Sequence, residues 1–366
     1  MPHKIDNTHM PMIVYIVPGY PPWSAASVNT QRRKRLMEKL GYYVLYIQHE
    51  DLRYVHNVIS IVKRRKNIKA IIIRADGGCD VDKYTLLKLL LPNIPLIWEI
   101  HGFAEEQLTV EKNLYGKWFV LKNNTKRRIL SRLVDCCMFV SEELRAFARE
   151  KITVRRSVII PNFLADEHAG NAKQYSNAII DELLQNYFVV LWGGDARMPW
   201  QAVDTIYSVA TRIHEFDRRI AFIVVGSNSW SSYGHIPNML CINPMPHADF
   251  MHLVSKADVC LGIYHESVYF PFYFYPMKIL DYMSVGKPVI ATHLRPITRL
   301  ITDGVNGFLT TNTVSDITKK ILLIKQNRPL SRRLAHEAKK TVQNNYSERN
   351  AKRQYTQLFL SVNAGI

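Results

Sequence analysis

The 366-residue sequence predicts an α/β protein of two domains, each a parallel sheet covered on both faces by helices. Three observations predict it. The length is about twice that of an ordinary domain of roughly 150 residues. Short apolar runs rich in β-branched residues alternate with segments of helical period, the pattern of parallel sheets with no wet face. The alternation then restarts near the middle of the chain, after a polar stretch of small residues at 166–178. Apolar residues make up 47% of the chain, enough to offset the entropy of ordering a core, so disorder as the main state is excluded.

In the first half, Met12 to Val17 reads as a strand ended by Pro18-Gly19. The segment from about Ser27 to Leu40 reads as a helix, with Leu36 and Leu40 one turn apart and Gly41 as its stop. Tyr43 to Ile47, Ala70 to Ile73, Leu96 to Ile100 and Cys136 to Val140 supply further strands, the last after a long helix. The second half opens on a strand from Tyr187 to Trp192 that ends at Gly193-Gly194. A helix over about Trp200 to Glu215 and a strand over Ile220 to Val225, ended by Gly226, follow. Val259 to Ile263 and Val289 to Ala291 are further strands, and Met277 to Ser284 and Ile317 to Lys325 are helices. The expected domains are residues 1–165 and 166–345. A last segment, 346–366, is expected to carry a helix that crosses back to the first domain. Two such domains are expected to face each other across a cleft at the carboxyl ends of their strands, where open α/β sheets bind ligands.

Lys and Arg number 48 against 31 Asp and Glu, a formal charge of +17. Residues 1–165 hold 27 basic and 15 acidic side chains, so most of the surplus belongs to the first half. It comes in runs: Arg32 to Arg35, Lys63 to Lys66, and Lys126 to Arg128. Such runs suit nucleic acid, anionic lipid or a phosphorylated substrate, or form a plain solvated face. Five cysteines without CxxC spacing argue against a disulfide framework and a zinc knuckle, and suggest a reducing compartment. The polar first residues are unlike a signal peptide, and no apolar run nears the ~20 residues of a spanning helix.

The turn at Gly193-Gly194 is not GxGxxG, and the phosphate-loop, HExxH and GxSxG patterns are absent. The informative stretch is FYPMKILDYMSVGKPVIATHLRPITRLITDGVNGFL, Phe274 to Leu309. Pro276 opens a helix, Gly286 ends it, and Lys278 and Asp281 share a face three residues apart. Free amides at that helix start, with Lys278 as a point charge, suit a phosphate, and Asp281 suits a ribose diol. A surface ion pair on a capped helix fits the same spacing.

This stretch resembles the signature of the retaining GT-B glycosyltransferases, in particular the large group 1 (GT4-like) family of bacterial polysaccharide and lipid-linked sugar transferases. The matching residues are Pro276, Met277, Lys278, Asp281, Tyr282, Met283, Ser284, Gly286 and Pro288 to Ala291, then Asp303, Gly304, Asn306, Gly307 and Leu309. Weaker resemblances run along the chain in the family's order. They are Tyr20-Pro21-Pro22, Trp98 to Gly102, Val140 to Leu144, Ile160-Pro161-Asn162, Pro199 to Asp204, Ala257-Asp258-Val259 and Tyr346-Ser347. The resemblance implies a GT-B fold of two Rossmann-like domains and a metal-independent, retaining transfer from a nucleoside-diphosphate sugar, with no further cofactor. It places the nucleotide at Gly193, Gly194, Gln201, Lys278 and Asp281, and His101 against the transferred sugar. Several positions depart from the family pattern. Asp281 stands where Glu is usual, Tyr273 where an earlier Glu meets the donor sugar, and Ala or Phe where glycines are common. Glu266 and Arg197 are the candidates to replace the missing sugar-binding carboxylate and the missing phosphate-clamping cation. Most of the aromatic run Tyr269 to Tyr275 is expected in packing, with one or two rings on the ligand.

The implied acceptor is a glycan, glycolipid or polyprenyl-diphosphate-linked sugar. The basic runs of the first half, with apolar stripes over Val58 to Lys69 and Trp118 to Leu133, suit an anionic membrane surface. The expected location is therefore cytoplasmic and peripheral to the membrane. Two rival classes are a catalytically weakened relative serving as a scaffold and, less economically, a nucleic-acid binder without a recognition motif.

Overall fold

The computed structural model describes residues 10–22, 24–53, 55–75, 81–106, 114–165, 177–226, 236–265 and 277–363. The described residues up to Asn162 and those from Glu348 onward form one compact unit, and those from Phe163 to Ser347 form the other. Each unit is a six-stranded parallel sheet flanked by helices, the α/β class that the alternating pattern predicts.

The first sheet holds β1 (Met12–Val17), β2 (Tyr43–Gln48), β3 (Ile68–Arg74), β4 (Leu96–Ile100), β5 (Cys136–Phe139) and β6 (Ser157–Ile159) in the order β2-β1-β3-β4-β5-β6. Val14 lies in register with Leu45 on one side and Ile71 on the other, and Trp98 with Cys137. All six residues of β1 and all five of β4 are buried, which is why these strands read as unbroken apolar runs. The helix Ala25–Lys39 begins where the Ser24 hydroxyl accepts from the Ser27 amide, and Gly41, at φ +89, follows its end. The terminal helix Glu348–Asn363 belongs to this same unit. It buries Tyr355, Leu358 and Phe359, with the Phe359 ring 5.0 Å from that of Tyr42.

The second sheet holds β7 (Phe188–Gly194), β8 (Ile220–Gly226), β9 (Met239–Ile242), β10 (Val259–Gly262), β11 (Val289–Thr292) and β12 (Phe308–Thr310). Its order, β12-β11-β10-β7-β8-β9, reverses between β7 and β10, so the crevice at their carboxyl ends is the topological switch point. Its core joins Val190, Trp192 and Leu261 of the strands to Ile206, Val209 and Ile321 of the covering helices. β7 and β8 meet closely at their ends: a Cβ on Gly226 would lie 2.3 Å from the Gly194 carbonyl oxygen, so only glycine fits there.

Some expectations are corrected. The helix expected over Val58 to Lys69 is Val55–Lys63, and Ile68 already opens β3. The edge strands β6, β9 and β12, of three or four residues, are not among the strands read from the sequence. The basic runs are not wholly surface features, because Arg32, Arg33 and Arg127 are buried. Among the described residues no helix is long and apolar enough to cross a membrane.

Candidate functional site

The switch point of the second sheet gathers most of the residues singled out in the sequence. β7 ends on Gly193-Gly194, and the helix Met277–Ser284 starts after β10. Its first turn carries Lys278, whose ammonium Nζ donates to Gln201 Oε1 at 2.7 Å. The same Nζ lies 4.5 Å from the Trp192 ring centre and 4.7 Å from that of Tyr264. These are neutral partners, and among the described residues no carboxylate pairs with Lys278. Burial holds its pKa well below the ordinary lysine range. The aromatic faces offset part of that cost through their quadrupoles.

Gln201 reaches Lys278 because the short turn Pro199–Gln201 ends at Ala202 in the left-handed region, φ 45, before the helix Val203–Phe216. A Cβ on Gly194 would come within 3.1 Å of Gln201 Oε1 and 2.9 Å of the Trp192 ring, so the glycine makes room for this arrangement. Gly193 is closely covered as well. A Cβ there would stand 2.4 Å from the Phe250 ring, and its amide donates to Tyr282 Oη at 3.0 Å.

Asp281 and Lys278 do not pair with each other. Asp281 is 5% exposed, and its Oδ2 lies 2.9 Å from Nε2 of His247, the first residue of the helix His247–Lys256. His265, beyond β10, takes its own carboxylate, Asp204 Oδ1 at 2.6 Å, while its amide donates to the Trp200 carbonyl. Arg197 stands apart from this group: its exposed guanidinium forks onto both carboxylate oxygens of Asp195, at 2.9 and 2.7 Å. Glu266 and the aromatic run Tyr269 to Tyr275 lie outside the described residues.

His101 follows β4 in the first unit. Its ring Nε2 meets Oε1 of Glu99, which is buried under β4's neighbours and also accepts from Tyr15 Oη at 2.7 Å. The Arg33 guanidinium lies 3.2 Å from the same carboxylate. Burial alone would raise the Glu99 pKa, but Arg33 and His101 outweigh it and hold the group well below the carboxylate range. Burial, reinforced by Arg74, pushes His101 down to about 4 against the pull of Glu99, so its ring is neutral near pH 7. Arg127 donates to the Gly102 carbonyl at 3.1 Å and pins the turn behind the histidine.

Sequence reasoning singled out Lys278, Gln201, Gly193, Gly194 and Asp281, which the fold brings to this switch point, but not Trp192, Tyr264 or His247. Trp192 and Tyr264 were visible as large side chains at strand ends beside the glycines. No local pattern points to His247, which the chain brings to Asp281 from 34 residues away. Among the described residues no three His, Cys, Asp or Glu side chains gather as a metal site.

Residues 187–327 match the family model described as Glycosyl transferases group 1, a span lying within the second unit. No curated protein matches the sequence. Among solved structures, the chain is similar to HepE from Anabaena in complex with UDP-glucose, with a TM-score of 0.69 and 16% identity over 96% of this chain and 100% of that one. It is similar to sucrose-phosphate synthase from Thermosynechococcus elongatus, with a TM-score of 0.68 and 14% identity over 97% and 100% of the two chains. It also resembles WaaG, a glycosyltransferase involved in lipopolysaccharide biosynthesis, with a TM-score of 0.67 and 13% identity over 94% and 99%. The chain therefore has a GT-B fold of two Rossmann-like units. Its second unit carries the match to the group 1 glycosyl transferases.

Proposed function

We propose that this protein is a retaining glycosyltransferase that takes a sugar from a nucleoside-diphosphate sugar and passes it to a glycan, glycolipid or polyprenyl-diphosphate-linked acceptor at a membrane surface. The observation that carries the donor half is Lys278: a half-buried ammonium with neutral partners, at a sheet switch point, lacks only an anion. A diphosphate supplies it, and the amides opening the helix Met277–Ser284 add their own positive end. Asp281 then accepts from the ribose diol, while Gly193 and Gly194 make room for Phe250, Trp192 and Gln201 around Lys278. UDP-glucose in the complex of Anabaena HepE supports a nucleotide sugar as the donor class.

In this reading the acceptor hydroxyl attacks the anomeric carbon on the face the diphosphate leaves. The carbon–oxygen bond to the diphosphate breaks as the new one forms, and the acceptor proton passes to a leaving phosphate oxygen. Lys278 stabilises the charge that grows on that oxygen. His101 hydrogen-bonds a hydroxyl of the transferred sugar.

The membrane half rests on the helix Leu114–Leu133, which exposes several large apolar side chains while burying Leu130 together with polar ones. Its inward face carries Asn123, Arg127 and Ser131, while Tyr115, Trp118, Leu121 and Ile129 point to the exterior. It packs against the helix Val81–Leu90, which exposes Leu86, Leu89 and Leu90. These two helices hold eight basic residues and one acidic one, Asp82. Apolar and aromatic side chains ringed by lysine and arginine suit an anionic lipid interface. The Val55–Lys63 helix is the poorer candidate, since Ile61 is buried and, among its described side chains, Ile59 is the one exposed large apolar residue.

The fork of Arg197 onto Asp195 favours a second reading, a weakened enzyme retained for binding, because it leaves Lys278 as the main cation for the diphosphate. Transfer assays separate the two. Labelled nucleotide sugars are incubated with the protein and membrane lipid extract, and the product's anomeric configuration is read by NMR. The transferase reading expects a product with the donor's configuration. Saturable donor binding without transfer to any acceptor would support the weakened enzyme, and an inverted product would overturn retention.

A further inference from the structure

A chain of buried polar contacts runs from the terminal helix to the ring of His101. Tyr355 Oη accepts from Arg33 Nη1 at 2.9 Å, and Arg33 Nη2 also donates to the Ile160 carbonyl at 3.0 Å. Arg33 pairs with Glu99, Tyr15 Oη donates to Glu99 Oε2, and Glu99 Oε1 meets His101 Nε2. Arg74 stands nearby, held by Thr30 Oγ1 at 2.9 Å, and adds positive potential at the ring. Tyr15, Arg33, Glu99 and Tyr355 are buried to 1% exposure or less, so the carboxylate has no water to turn to. The His101 side chain is 11% exposed.

An ionised carboxylate can only accept, so the proton in its bond to a neutral imidazole must sit on Nε2. The other ring nitrogen, Nδ1, then carries a lone pair, and among the described residues it has no partner. We propose that Glu99, oriented by Arg33, Tyr15 and Tyr355, is the positioning residue that fixes His101 as the Nε2–H tautomer, making Nδ1 an obligate acceptor for a substrate hydroxyl. This rests on the transferase reading for the identity of the hydroxyl, which lies on the transferred sugar, but the tautomer itself does not depend on it. The arrangement selects a group that donates. A hydroxyl fits, while a fluorine or a carbonyl oxygen at the same place offers only a lone pair and is repelled.

The test reads the tautomer and the selectivity separately. The full chain is labelled with 15N-histidine, and His101→Gln identifies the resonance. The proposal expects a protonated Nε2 and an unprotonated Nδ1 throughout about pH 6–8. A protonated Nδ1, or an imidazolium in that range, overturns it without reference to activity. In Glu99→Gln the single tautomer is expected to give way to a mixture, with kcat down about tenfold. An unchanged tautomer and unchanged turnover would deny Glu99 its role. If Glu99→Gln fails to fold, Tyr355→Phe, which removes one hydroxyl from the chain of contacts, is the milder probe. It is expected to lower kcat about two- to fivefold with donor KM unchanged, and no change would remove Tyr355 from the proposal. Across a set of monodeoxyfluoro donors, one position is expected to lose about tenfold in kcat/KM in the wild type and not in His101→Ala. Equal losses in both proteins would show that Nδ1 does not meet a sugar hydroxyl. If no nucleotide sugar is turned over at all, the transferase reading fails while the tautomer result stands.

Discussion

At the scale of single residues, the decisive chemistry is the handling of buried charge. Lys278 is desolvated and partnered by a neutral amide and two ring faces, a state that favours losing its proton. A bound diphosphate favours the charged form, so donor binding is linked to protonation of Lys278. The affinity for donor is therefore expected to weaken as pH rises above the pKa of Lys278 in the free protein, by up to tenfold per pH unit. Calorimetry in buffers of different ionisation enthalpy measures the uptake directly. Lys278→Gln is expected to bind at least tenfold more weakly and to show no such pH slope. Asp281→Ala should lose affinity for the nucleotide but keep the slope. The identity of Lys278 and Asp281 was legible because both sit in a dense local motif. Their partners were not: Gln201 lies 77 residues from Lys278, and His247 lies 34 from Asp281, so only the fold joins them. The basic runs misled in a similar way. Within Arg32 to Arg35, the sequence shows four equal charges, yet Arg32 and Arg33 lie in the core, where Arg33 neutralises Glu99.

At the scale of elements, the strands read most clearly from the sequence are those buried on both faces, although the half-exposed edge strand β2 was legible too. β1, β4 and β8 each expose nothing and stand out as apolar runs. The strands β6 and β12 have three residues apiece, and β9 has four; runs this short do not stand out as strands even when, as in β9, every residue is apolar. The meeting of β7 and β8 makes a stability prediction. Gly226→Ala forces the Gly194 carbonyl away and is expected to cost roughly 1–3 kcal/mol by overpacking, seen as a melting point several degrees lower. The displacement falls at Gly194, so donor affinity should drop as well. For the helix Leu114–Leu133, flotation with anionic vesicles is the measurement. Replacing Trp118 and Leu121 by Glu is expected to reduce the floated fraction severalfold without lowering the melting point, because both side chains are exposed. Undiminished flotation would remove this helix from the membrane proposal.

At the scale of the whole molecule, the +17 charge divides into structural and surface parts. Buried Arg33, Arg74 and Arg127 bind carbonyls, hydroxyls and a carboxylate within the first unit, and they are not available to a partner. Part of the surface remainder surrounds the exposed apolar residues of two packed helices, a mixture that suits lipid better than nucleic acid. Vesicle binding is accordingly expected to fall with added salt and with neutral lipid, and to survive excess DNA or RNA. Competition by nucleic acid at physiological salt would return it as the partner. Alternation of strand and helix made the α/β class readable over the whole chain, because hydrophobic period is set by each element alone. The site is a property of strand order, which puts β7 beside β10, and strand order has no local signal.

The central claim is that the half-buried ammonium of Lys278 awaits a nucleoside diphosphate. A calorimetric titration of the wild type and Lys278→Gln with a panel of nucleoside-diphosphate sugars tests it most directly. The prediction is one-to-one, saturable binding of at least one member of the panel, weakened at least tenfold by the substitution in a protein of unchanged fold. Absence of binding across the panel, or equal affinity in the two proteins, would contradict it.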